Sequence, residues 1–147
     1  MRRPVAFVTA LVLFVEAVGI VLVNGVLATV ADNQSMSLAG MDPDAMVTGT
    51  WVMGGVFGAL LLLCGFIPLL AAIRDRGPGR FGRITLIACA VVHGVLGALA
   101  VGLIGWAAFA FLMAVLALIV LTLVVFERRA PETKAEGAGV GGTPAPV

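Results

Sequence analysis

Of 147 residues, 61% are hydrophobic and only 12% charged, with a mean hydropathy of +1.16 and a formal net charge of +1. A soluble domain carries about 25% charged residues, so this composition excludes a water-facing surface and fits a lipid-facing one. The net charge argues neither way about nucleic acid, and the expected partner is the lipid bilayer.

The first apolar run, Pro4 to Val30, is interrupted only by Glu16 and Asn24. Arg2 and Arg3 before it and Thr29-Val30-Ala31 at its end also permit a secretory signal. A signal core is shorter and lacks a central carboxylate, so the run is read as a span. A polar loop follows, with Asn33, Gln34, Ser35, Ser37 and the turn-forming Asp42-Pro43-Asp44. Asp44 or Thr48 is the expected cap of a second helix.

The second run, Thr48 to Ile73, holds no charge and carries Pro68, a kink former. Its small residues Gly54-x-x-x-Gly58 and Gly65 suit close helix packing. The next loop, Arg74-Asp75-Arg76-Gly77-Pro78-Gly79-Arg80-Phe81-Gly82-Arg83, lacks the Gly-Lys-Ser/Thr ending of a phosphate loop. Its glycines are turn residues, and its arginines are topology signals or lipid-phosphate contacts.

The 43 residues from Ile84 to Phe126 contain no formal charge unless His93 is protonated. A span needs about 20 residues to cross roughly 30 Å of hydrocarbon, so the run makes two helices with a turn at Gly102-Leu103-Ile104-Gly105-Trp106. Small-residue stripes mark both, Gly94-x-x-x-Ala98-x-x-x-Gly102 and Ala107, Ala110, Ala114 and Ala117. The stripes serve packing inside the bundle or contacts between copies. From Ala130 the chain is mostly Gly, Ala, Pro, Thr and Glu without apolar periodicity, and disorder is expected.

These segments predict an all-α membrane protein, a four-transmembrane-helix bundle with helices at about 5–30, 48–73, 84–103 and 106–127. Residues 1–129 form the transmembrane domain and 130–147 a disordered cytoplasmic tail. Arg2, Arg3, Arg74, Arg76, Arg80, Arg83, Arg128 and Arg129 all fall on one side, and Asp32, Asp42 and Asp44 on the other. The positive-inside rule places both termini in the cytoplasm. Trp51 and Trp106 then stand at the outer ends of their helices, as an aromatic belt requires. Each half reads arginine, helix with one ionisable residue, Trp, helix, arginine. That is a faint internal repeat, which two hairpins also produce without duplication.

Glu16 is the most informative residue. A carboxylate inside a span costs a few kcal/mol and is usually kept for a purpose. It lies thirteen residues from Arg3, and His93 lies ten from Arg83, so the two reach similar depths of about 20 and 15 Å. If they meet, the pair hydrogen-bonds two helices together or holds a proton or cation; equal depth permits contact without forcing it, and all three readings stay open. Asn24 and Thr9 are supporting polar groups on the flank of Glu16, and Gly54, Gly58, Gly94 and Ala98 are the expected packing positions. Cys64 and Cys89 are read as small buried hydrophobes at depths that differ by roughly 6 Å, with a disulfide between them as the alternative. No metal, cofactor or catalytic constellation is in view.

Val15-Glu16-Ala17-Val18-Gly19, a glutamate within the first of four helices with a small residue and Gly behind it, resembles the proton-coupled small multidrug transporters. The resemblance implies that Glu16 binds both a proton and a cationic substrate. Elsewhere the chain departs from that family, with no Tyr, a long loop between the first two helices, strong arginine bias and a tail. Arg in preference to Lys, with abundant Ala, Gly and Val, makes the whole chain similar to small four-helix integral membrane proteins of actinobacterial type. A non-enzymatic scaffold, accessory subunit or sensor of the bacterial cell membrane is expected, as a homo-oligomer or in a larger membrane complex. A proton-coupled transporter or channel using Glu16 is the alternative.

Overall fold

Four helices in chain order make up the fold: α1 (Arg2–Asn33), α2 (Pro43–Arg74), α3 (Arg80–Leu103) and α4 (Trp106–Glu127). The computed structural model describes residues 2–34, 40 and 42–127; the expected tail disorder and the loop serines Ser35 and Ser37 fall outside them. All four helices are long and apolar enough to cross a membrane. The chain is an all-α, multi-pass membrane protein.

α1, α2 and α3 run longer than their apolar cores. Intrahelical hydrogen bonding does not stop where apolarity stops, so polar flanks continue the helix until a cap or a turn ends it. At α2 that cap is Asp42, whose carboxylate accepts from the Asp44 backbone N–H at 2.8 Å, with Pro43 in the first turn. Asp44 and Thr48 therefore lie within α2 and do not start it. The α2–α3 loop turns at Asp75, in the left-handed conformation (φ 51°). The α3–α4 turn needs Gly105, at φ 118°, a conformation that only glycine adopts without strain.

α1 and α2 pack as an antiparallel hairpin zipped by glycines. A Cβ on Gly54 would lie 2.6 Å from Asn24 Cβ, one on Gly58 2.5 Å from Val21 Cγ2, and one on Gly65 2.9 Å from Phe14 Cε1. Such small faces supply close van der Waals contact where lipid removes the hydrophobic drive. α3 and α4 form the second hairpin, with Gly97 under Met113 and Gly94 against Leu116.

The expected α3 stripe is corrected here. Ala98 is exposed and Gly102 has open space around it, while Gly97 and Ala100 face inward. The buried face follows Cys89, His93, Gly97 and Ala100, steps of three and four residues, and Ala98 falls on the opposite side. On α4 the stripe Ala107, Ala110, Ala114 and Ala117 is likewise exposed, and Val115, Ile119 and Thr122 fill the interior.

The hairpins meet along α1–α4 and α2–α3, which leaves α1 and α3 on a diagonal of the bundle. Leu13, Cys64, Leu86, Cys89, Val115 and Ile119, drawn from all four helices, form the shared core. Nearer the arginine side, the Thr9 and Thr122 hydroxyls stand 2.9 Å apart and join α1 to α4.

Candidate functional site

Glu16 and His93 meet across the diagonal of the bundle. Glu16 lies fourteen residues above the start of α1 at Arg2, and His93 thirteen above the start of α3 at Arg80. Both helices leave the arginine side in the same direction, so counts that differ by one residue put the side chains at nearly one depth, about 20 Å along each helix. Glu16 Oε2 stands 3.0 Å from His93 Nε2, with side-chain exposures of only 14% and 4%. A full hydrogen-bond distance with both partners largely buried makes this a desolvated contact between ionisable groups of two helices.

The other imidazole nitrogen sets the proton count. His93 Nδ1 is 2.8 Å from the Cys89 carbonyl. A carbonyl only accepts, so Nδ1 carries a proton and donates. The Cys89 thiol, at 3.6 Å from the same nitrogen, is the weaker neighbour. Between Nε2 and Oε2 there is then one proton. It resides on Glu16, which donates to a neutral imidazole, or on His93, which donates to a carboxylate. The pair is neutral overall in both forms, which keeps the cost of burial low.

An apolar cleft of about 340 Å³ reaches the pair from the side away from the arginines. Ile20, Phe57, Leu96, Leu99 and Ile104 line it towards the α3–α4 turn, and Glu16 and His93 are its only ionisable residues. The cleft exists because the hairpins close on the shared core below the pair, whereas α3 turns back at Ile104 above it.

Depth markers agree on both sides. Gly25, nine residues beyond Glu16, packs under the Trp51 ring, and Trp106 follows the turn ten residues beyond His93. Both indoles therefore lie about 14–15 Å above the pair. That is half of the ~30 Å hydrocarbon core, a separation that matches an aromatic belt at one interface and the pair near the midplane.

The supporting residues separate into two roles. Thr9 is fully buried and joins α1 to α4 through Thr122, with the Leu118 carbonyl 3.3 Å away. Asn24 turns its amide back to the Ile20 carbonyl at 2.9 Å and offers its Cβ to Gly54. It satisfies itself and makes no bond to Glu16. Thr85, eight residues before His93 on α3, bonds only its own helix through Phe81 O.

Two further features escape a reading along the chain. Thr122 is the partner of Thr9, and as the sole polar side chain inside α4 it already signalled a need for one. Cys64 and Cys89 meet in the core, both as free thiols. The depth difference expected from the arginines is corrected by the start of α3 at Arg80: Cys89 lies nine residues above that start, and Cys64 ten from the end of α2. Among the described residues, no group of three His, Cys, Asp or Glu side chains is arranged to hold a metal ion.

Comparison with known protein families, curated proteins and solved structures finds no match. The class is therefore defined by the fold and the site: a four-helix, multi-pass membrane protein with an intramembrane carboxylate–imidazole pair.

Proposed function

We propose that this chain is a non-enzymatic protein of the bacterial cell membrane that works as a small proton-coupled carrier, with Glu16 and His93 as its proton site. The observation that carries this reading is the cleft, which brings an apolar opening down to the pair. A bundle whose pair served only as glue would close over it. A lipophilic cation entering the cleft would meet Glu16 as a carboxylate once the shared proton departs, so cation and proton exclude one another at one site. The local resemblance of Val15-Glu16-Ala17-Val18-Gly19 to small multidrug transporters supports the same chemistry.

The distribution of arginines supports an orientation with both termini and the α2–α3 loop in the cytoplasm, the cleft opening outward. A cysteine introduced at Ser37 is expected to react with an impermeant maleimide applied outside, and one at Gly79 is not. Uptake of tetraphenylphosphonium into proteoliposomes with an acidic lumen tests the carrier reading. The wild type is expected to accumulate the cation against the proton gradient, and Glu16→Gln, with unchanged helicity and thermal stability, to lose that accumulation. No proton-dependent uptake by the wild type would leave a second reading, a scaffold, accessory subunit or sensor in a homo-oligomer or larger complex. The exposed Ala107, Ala110, Ala114 and Ala117 face of α4 favours that alternative.

A further inference from the structure

The arginine end of the bundle carries a second pocket, which plays no part in the carrier reading. It occupies about 440 Å³ between the end of α2 and the start of α3. Arg74 and Arg76 border its polar side, and Ile67, Leu70 and Phe81 its apolar side. Phe81 is 74% exposed beside it, an aromatic ring at the level where a helix leaves the hydrocarbon.

The charges around this pocket are not balanced within the bundle. Asp75, the one acid of the loop, pairs with Arg3 at 3.3 Å, and Glu127 pairs with Arg83. Arg74, Arg76 and Arg80 have no carboxylate partner among the described residues. Two arginines facing a pocket whose opposite wall is aliphatic and aromatic have one complementary ligand chemistry, a phosphate monoanion or dianion joined to an apolar chain.

We propose that this pocket is a binding site for the headgroup of an anionic phospholipid, with Arg74 and Arg76 on the phosphate and Ile67, Leu70 and Phe81 along the first part of an acyl chain. Guanidinium groups suit this role because their fork of donors matches phosphate oxygens. The apolar wall selects a lipid over a free phosphate, which would leave that wall uncovered. Bound there, the lipid joins α2 to α3, the helices that link the two hairpins through this short loop.

The test uses the full chain in a nonionic maltoside, with binding followed through the thermal unfolding midpoint. Three additives separate the sources: phosphatidylglycerol, phosphatidylcholine with the same chains, and inorganic phosphate. Phosphatidylglycerol is expected to raise the midpoint saturably, and the other two to do so at least tenfold more weakly. Arg74→Gln/Arg76→Gln is expected to weaken phosphatidylglycerol binding about 30-fold, at about 1 kcal/mol for each arginine. Arg83→Gln, whose residue does not line the pocket, is expected to leave that affinity within about twofold. Phe81→Ala, at an exposed ring, is a second variant should the arginine pair prove unstable; it should weaken phosphatidylglycerol several-fold and leave phosphate unchanged. Equal binding of phosphatidylglycerol and phosphatidylcholine, phosphate as effective as phosphatidylglycerol, or full affinity in either pocket variant would overturn the proposal.

Discussion

The two hairpins solve the same packing problem with different means. α1 and α2 are 32 residues each, about 48 Å long, and close on one another through Gly54, Gly58 and Gly65. α3 and α4, at 24 and 22 residues and about 33–36 Å, close through Gly97, which lies under the flexible tip of Met113. The first hairpin sets stiff atoms against missing side chains: a Cβ, a β-branched methyl and an aromatic ring. The second sets the end of an unbranched thioether, which has room to turn aside. The site lies where these hairpins meet, with the acid on the rigid one and the base on the adaptable one. The proposed carrier role would use that asymmetry, because one wall has to yield when a ligand enters or leaves.

The largest expected effect separates the hairpins directly. Gly54→Ala places a methyl 2.6 Å from Asn24 Cβ, and about 1–3 kcal/mol of destabilisation is expected from overpacking. Gly97→Ala overlaps with Met113 Cε, the end of a flexible side chain, and otherwise makes ordinary contacts with Leu112 and Phe109; it gains about 1 kcal/mol of helix propensity, so it is expected to stay within about 1 kcal/mol of the wild type. Unfolding in mixed micelles titrated with dodecyl sulfate measures both; equal costs would remove the contrast.

Next in size is the bond between the hairpins. His93→Leu strands Glu16 without its acceptor or donor and is expected to cost about 1–2 kcal/mol, since hydrogen bonds within membranes are modest. Glu16→Gln with His93→Leu is expected to cost less than the sum of the single changes. Strict additivity in that cycle would show that the 3.0 Å contact contributes no coupling.

The smallest effect concerns the α1–α4 bond. Thr122→Val is expected to cost about 0.6 kcal/mol, the usual scale for an interhelical hydroxyl bond in a membrane. Thr9→Val added to it is expected to cost little more, because the partner is already gone. A double variant twice as unstable as the single one would assign each hydroxyl to its own helix, through Val5 O and Leu118 O.

Much of this architecture is legible in the sequence because the bilayer leaves few alternatives. Long apolar runs must be helices, and the charged breaks at Arg74–Arg83 and Asp42–Asp44 mark the turns. Glu16 and His93 stand out for the same reason, as ionisable residues in otherwise apolar helices, and counting from the arginines places them at similar depths. Which face of a helix turns inward was much less legible. α2 and α4 are apolar all round, so periodicity has no contrast to display, and small residues occur on both faces. Ala98 and Gly97 are neighbours in sequence and differ in burial only because α4 lies on one side of α3. The cleft is tertiary in origin, formed by hairpins of unequal height, and no local pattern encodes it.

The proposed proton site at the base of the cleft is tested most directly on the histidine itself, which is the only one in the chain. Nitrogen-15 spectra of the labelled protein in bilayers report the protonation of each imidazole nitrogen separately. Nδ1 is expected to remain protonated throughout, held by the Cys89 carbonyl at 2.8 Å. Nε2, 3.0 Å from Glu16, is expected to shift when tetraphenylphosphonium is added and to stay unshifted by it in Glu16→Gln. A spectrum in which Nδ1 lacks its proton, or in which the cation leaves Nε2 of the wild type unchanged, would contradict a shared proton reached through the cleft.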